Sequence, residues 1–281
     1  MTAVRGRRRG LGRTATYAAL VALALVFLFP YYWMVRSSLV DLGSIFEPSP
    51  SLLPRRPSAD NYATALTMFP FGRFFLNSLV VAVLTVAGTL LSASLCAFGF
   101  SRLRWKGRDW VFSTVLTGMM LPFFVVMIPH FVMWRWLGLT DSLTPLIAPA
   151  WFGGGVFNIF LLRQFFLGIP RELDEAALLE GATPLQVFLH IIVPLSKPAL
   201  IVVGLLTFLA SWNDYLAPII FITSEDKYTL MLGLNLFLGS YTAQWNYLMA
   251  ATCIIVLPSL ALFAVAQRYL MEGIVMTGLK G

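Results

Sequence analysis

The chain has 281 residues, 58% hydrophobic and 12% charged, with twenty Lys and Arg against thirteen Asp and Glu. Soluble domains carry about 25% charged residues, so a mean hydropathy of +0.79 excludes an ordinary soluble protein and places the chain in the membrane class. Cys96 and Cys253 both fall inside apolar runs, and His130 and His190 stand alone. A disulfide framework, a metal site and a histidine-assisted nucleophile are therefore not expected.

Charge-free runs predict six spanning helices, each near the ~20 apolar residues a bilayer requires. A basic tail, residues 1–13, precedes the first span at 14–36. RGRRRG before an apolar core also suits a cleavable signal, but this core is too long and PYYWMVRSS is no small-residue cleavage site. An uncleaved helix is the expectation. The loop 37–72 carries Pro48, Pro50, Pro54, Pro57 and Pro70, which suits an extended surface segment, either a spacer or a docking surface for an outside partner. The second span, 74–100, has Gly88, Ser92 and Cys96 at four-residue spacing, a stripe that permits close helix approach. The third span is 110–133. The fourth, 143–163, is interrupted by Pro145, Pro149 and Gly153-Gly154-Gly155, which predicts a kink or a late start. A polar stretch, 164–197, follows. The fifth span, 198–223, runs past Asp214, and the sixth starts late, at 247–267, because Gly239, Thr242, Gln244 and Asn246 are polar. A tail, 269–281, ends the chain.

With the N-terminus inside, fourteen of the twenty Lys and Arg fall in inside segments and six outside. The positive-inside bias therefore puts both termini in the cytoplasm. The net charge of +7 is a topology signal: its charges sit in short loops beside spans, not on one face that would bind nucleic acid.

The 164–197 stretch reads as two short helices, each with a stop. Pro170 suits a helix start, and Glu172, Asp174 and Glu175 crowd the first turn, where carboxylates favour the helix dipole. Gly181 stands where a left-handed stop belongs. Thr183, Pro184 and Gln186 have capping-box spacing. Leu185, Phe188, Ile191, Ile192 and Leu195 recur on one face, and Pro194 and Pro198 are expected to end the helix. The residues alone leave two readings open: a hairpin packed on its own bundle, or a surface for another protein.

Glu175-Ala176-Ala177, Gly181, Ile191 and Pro194 resemble the EAA motif of binding-protein-dependent ABC importer permeases, with Val193 in place of the usual leucine. Asn77-Ser78, AFGFSRLRWKG, FLLRQFF, WNDYLAP and QRYLMEGIVMTGLKG extend the likeness over nearly the whole chain, toward the carbohydrate, maltose MalG-like type. The resemblance implies an all-α polytopic type I permease with six transmembrane helices, its transmembrane domain at 73–268, in a bacterial inner membrane. It implies that Glu175, Ala176, Ala177, Glu180, Gly181 and Pro194 form a cytoplasmic coupling hairpin seated in a separate ATPase, with the tail from Glu272 to Gly281 reaching the same subunit. The implied partners are a second permease, giving a heterodimer, two ATPase subunits and an extracytoplasmic solute-binding protein. No Gly-Lys pair occurs in the chain, so no phosphate-cradling loop is expected and ATP-Mg belongs to the partner. No catalytic set is visible.

An acid at membrane depth is a functional candidate. Trp212, Asn213, Asp214 and Tyr215, with Asn158 in the fourth span, therefore form a candidate solute path. Indole rings suit sugar faces and polar groups suit hydroxyls. The plainer reading puts Asp214 near an interface and the aromatics in an ordinary belt. The likeness carries coupling more than solute, so a non-sugar cargo such as glycerol phosphate or a polyol stays open beside a sugar or oligosaccharide. An ATP-independent carrier would need more ionisable groups within its spans.

Overall fold

The computed structural model describes residues 3–239 and 242–278, with side chains for Arg13 and for residues 15–239 and 242–269. The side chains of Arg5, Arg7, Arg8 and Arg9, and of the tail from Glu272 to Gly281, lie outside the described residues. Among the described residues the fold is all-helical. Among these residues four helices are long and apolar enough to cross a membrane, or six if two bent pairs each count as one crossing.

Helix α1 runs Ala3–Ser38. The loop after it is less irregular than its prolines suggest. It forms a one-turn helix α2, Leu42–Ile45, capped by Asp41, and a helix α3, Asp60–Met68, with an irregular, repeatedly bent stretch between them. The prolines keep helix out only where they cluster, at 48–57. Helix α4, Phe71–Ser101, is continuous. The next apolar run is not the single straight span its length predicts. It breaks into α5, Arg108–Thr117, and α6, Phe123–Trp136, bent by 99°. Pro122 lacks the N–H that would continue the ladder and pushes Leu121 to extended angles (φ −80°, ψ 114°). A count of charge-free residues cannot register that bend.

The fourth span divides as expected, into α7, Thr144–Trp151, and α8, Val156–Leu167. Gly153, Gly154 and Gly155 all have positive φ, angles that cost a residue with a Cβ. At Gly154 a Cβ would also lie 2.8 Å from the Cβ of Ala93, the Oγ of Ser92 and the carbonyl of Thr89. The small stripe of α4 works as anticipated: Ser92 donates to the Ala150 carbonyl at 2.7 Å, and a Cβ on Gly88 would meet the Trp151 ring at 2.6 Å. Between apolar helices in lipid, such close contact supplies the adhesion that exclusion from water supplies elsewhere.

The hairpin contributes α9, Glu172–Leu179, α10, Pro184–Val187, a π-turn Phe188–Ile192 and α11, Val193–Leu195. Helix α12, Lys197–Trp212, leaves it at 78°. The fifth span stops at Trp212 and restarts as α13, Leu216–Phe221. Helix α14, Leu230–Leu234, precedes α15, Trp245–Gly278, which is longer than the sixth span predicted for it.

The chain forms two compact units: residues 1–69 with 234–256, and 70–233 with 257–281. In the first, buried Asn61 donates to the Ser38 and Val40 carbonyls and accepts from Asn246, while Ala250, Ala251 and Ile255 complete the interior. In the second, α4 is central, packed by α7, α8 and α12. Its core gathers Phe98, Phe112, Leu162, Phe166, Phe188, Ile192 and Val203. Both candidate sites belong to this unit.

Candidate functional site

The hairpin ends its first helix with two bonds. The Ala182 N–H donates to the Ala177 carbonyl at 2.9 Å and the Gly181 N–H to the Leu178 carbonyl at 3.1 Å, with Gly181 at φ +87°. This is the paired left-handed stop that glycine favours. Thr183 then opens the second helix with a capping box: its N–H donates to Gln186 Oε1 at 2.7 Å and its Oγ1 accepts from the Gln186 N–H at 3.4 Å. Pro170 falls just outside the first helix, which begins at Glu172.

The two readings left open by the sequence divide between the two helices. No residue of α9 is buried, Glu175 and Ala176 are exposed, and Leu179 is 90% exposed. The second helix packs inward on its own bundle through the middle of the face expected, with Ile191 half-buried, but not through its ends. Val187, Phe188 and Ile192 are buried, whereas Leu185 and Leu195 stay exposed. A π-turn follows and displaces the residues after it, Leu195 among them. Val193 donates to Phe188, five residues back, which advances the register by one. Pro194 has no N–H to give and its ring would press on the carbonyl four residues back, so a wider turn just before it relieves the conflict. Pro194 thus does not end the helix; the break falls at buried Ser196. Between the two arms lies a groove of ≈ 340 Å³ lined by Ala177, Glu180, Gly181, Gln186 and His190.

One residue that the sequence reading passed over fastens the exposed helix. Arg102, just past α4, pairs its Nη1 with Asp174 Oδ2 at 2.9 Å, and Nη2 donates to the Phe166 and Ile169 carbonyls. Burial pulls the guanidinium below its usual pKa, and the Asp174 charge opposes that. Its partner is 72 residues away, so no local pattern could have flagged the pair.

The candidate solute path is only partly assembled. A cavity of ≈ 560 Å³ between α4, α8 and α12 takes in Asn158 and Asp214, together with Thr85, Thr207, Ser211 and Thr229. Asp214 Oδ1 accepts from the Ala217 N–H at 3.2 Å and so caps α13. The Asn158 Nδ2 donates to Gly154 O at 2.8 Å. Thr207 Oγ1 and Thr229 Oγ1 are buried without a hydrogen-bond partner, an arrangement that costs energy unless something fills it. Trp212, Asn213 and Tyr215 do not line this cavity. Trp212 is 1% exposed, stacked on Phe208 at 5.3 Å and edge-on to Phe75 at 5.6 Å. Its ring is engaged in packing. The hydroxyls were legible: Thr207, Ser211 and Asp214 lie at helical spacing on one face of the chain. Asp214 is the sole charged residue lining the cavity.

At the far end of α4, Asn77 Nδ2 donates to the Asp226 and Tyr228 carbonyls, and Ser78 Oγ accepts from the Leu230 N–H at 2.8 Å. Asp141 (φ +55°) accepts from the Thr223 and Ser224 N–H groups, from Ser224 Oγ and from Lys227 Nζ. Those bonds, Ser224 first, hold its carboxyl well below the usual carboxylate range. Among the described residues no cluster of three or more His, Cys, Asp or Glu could hold a metal.

Residues 88–275 match the family described as binding-protein-dependent transport system inner membrane component. The inner membrane ABC transporter permease protein YcjP of Escherichia coli (strain K12) is 32% identical over 98% of this chain and 99% of its own. The arabinooligosaccharides transport system permease protein AraQ of Bacillus subtilis (strain 168) is 33% identical over 96% of both. Among solved structures, a chain of a bacterial ABC transporter involved in the import of the acidic polysaccharide alginate superposes with a TM-score of 0.82 at 24% identity, over 94% of this chain and 98% of that one. That likeness establishes the type I importer permease fold.

Proposed function

Because the chain belongs to the family of binding-protein-dependent transport system inner membrane components, we propose that it is the permease of a sugar or oligosaccharide importer, driven through its hairpin by a separate ATPase. The chain is thus a membrane component of an ABC importer, not an enzyme, and the system works with a solute-binding protein and an ATPase. The observation that carries the proposal is division of labour in the hairpin: α10 and the π-turn are anchored inward, while α9 leaves Glu175, Ala176 and Leu179 exposed and turns Asp174 and Ala177 toward its own unit. Glu180, Gly181 and Pro194 frame the surface that α9 offers. An ATPase gripping α9 would move it as a rigid body, and the fixed Arg102 contact would carry the displacement into α4. ATP-Mg then binds on the ATPase, present in two copies. The hairpin and both termini face the cytoplasm. A second, different permease completes the pore.

The solute reading rests on two supports. AraQ is named for arabinooligosaccharides, and another relative, from Streptomyces coelicolor, for diacetylchitobiose. The cavity offers hydroxyl and amide groups beside one carboxylate, a lining suited to an uncharged polyhydroxylated solute. The carboxylate weighs against glycerol phosphate, while a polyol fits as a smaller cargo of the same chemistry.

Cysteine placed at Glu175 should cross-link to the ATPase in native membranes, and cysteine at Arg55 should not. Glu175→Lys and Gly181→Pro should abolish uptake at normal membrane abundance. Unimpaired uptake in both variants removes the coupling assignment.

A further inference from the structure

We propose that the cleft where α4 ends and α5 begins binds the phosphate of an anionic membrane phospholipid. The cleft, of ≈ 390 Å³, is lined by Arg104, Arg108, Arg171 and Asp109 and flanked by Trp105 and Trp110. Its one acid is already committed: Asp109 Oδ1 pairs with Arg108 Nε at 2.9 Å. That leaves a surplus of positive charge. Among the described residues Arg104 has no hydrogen-bond or ion-pair partner, and Arg171 makes one long bond, to Ser101 O at 3.4 Å. Arg102 lies close by but is spent on Asp174.

Two further features favour an anion. The N-terminus of α5 has no side-chain cap, because Gly107 (φ +86°) stands at the cap position. An uncapped helix start presents N–H groups and the positive end of the dipole. The cleft also lies at the level where two apolar helices emerge from their charged connection, and Trp110 there is 74% exposed. Indoles prefer the headgroup zone of a bilayer. A phospholipid answers both demands at once, with its phosphate among the arginines and its chains along α4 and α5. Net positive charge selects an anionic lipid over a zwitterionic one. The site is separate from the solute cavity and does not depend on which solute is carried.

The test uses the full chain in mild detergent, titrated with phosphatidylglycerol or phosphatidylcholine of matched chains, with bound lipid counted by native mass spectrometry. Phosphatidylglycerol should bind at least about tenfold more tightly, and Arg104→Gln with Arg171→Gln should remove most of that preference, since each interfacial cation contributes a factor of about five at most. The control Arg135→Gln should leave binding unchanged. Equal binding of the two lipids by the unaltered chain overturns the proposal, whatever the variants do. So does undiminished phosphatidylglycerol binding in a double variant that elutes normally on gel filtration. A third arm adds millimolar inorganic phosphate: lipid retention supports the membrane source, while full displacement by phosphate identifies a free-anion site and overturns the lipid assignment.

Discussion

Two ion pairs of equal length lie near the two ends of α4 in unequal surroundings. Near its start, Lys227 meets Asp141 at 2.9 Å with side chains 38% and 32% exposed; past its end, Arg102 meets Asp174 at 2.9 Å with 3% and 14% exposed. The distance is the same, but the solvent is not. Water and salt screen the first pair, and most of its geometry comes from uncharged bonds to Thr223 and Ser224. The second pair has given up hydration at both partners, so it holds only while both are present. Its role follows from that difference. A solvated strap stays open to water and salt, whereas a desolvated clamp keeps α9 in one register against α4. Force delivered to the hairpin needs the second kind of joint.

The largest expected effect therefore comes from Asp174→Ala, which strands the Arg102 charge. Removing one partner of a buried pair costs about 3–5 kcal/mol, and unfolding of the full chain in detergent should register it. A loss no greater than that of an ordinary surface substitution would break the comparison. Second, Arg102→Met combined with Asp174→Leu should recover most of that stability, since apolar replacement of a buried pair is close to neutral. Uptake should recover less, because the Phe166 and Ile169 carbonyls still lack their donor. A double variant as unstable as the single one would mean that the penalty is not an unpaired charge.

The other end should respond to acid. The Asp141 carboxyl is held below its ordinary 3.8. Its folded value is depressed, so its contribution is complete above the unfolded value and is lost as pH falls through the folded one. Asp141→Asn tolerates positive φ and can still accept from backbone N–H groups. It should flatten the acid limb of a stability curve by lowering the neutral-pH plateau toward the acid value, with little change at the acid end itself, because the contribution removed is that of the ionised carboxylate. The smallest effect is expected from Lys227→Ala, and it should vanish in about 0.5 M salt, where the screening length is only a few ångströms. Persistence of that effect in salt would show that the strap is less solvated than its exposure implies.

The candidate sites were unevenly legible. Gly181 and the Thr183 capping box are local chemistry, and the structure places them as their spacing implies. The Asn77-Ser78 pair was visible as a motif, but its use, holding the 226–230 segment, spans about 150 residues of chain and is not a sequence property. Trp212 lies buried against Phe208 and Phe75 rather than along the cavity, and aromatic identity does not say which way a ring is buried. The bend at Pro122 carried a readable signal. It was hidden by reading spans as charge-free lengths, a measure that ignores the missing N–H.

Composition and charge placement determined that this chain lives in a membrane, and short-range caps and stops determined where the hairpin turns. Those depend on interactions within a few residues, which sequence order enforces directly. Which hairpin helix stays exposed, that Thr85, Asn158 and Thr229 join Asp214 in one cavity and which arginine is buried were decided by the tertiary structure. Burial is set by neighbours tens of residues away, and a charge or a ring has the same letter whether it faces lipid, water or another helix.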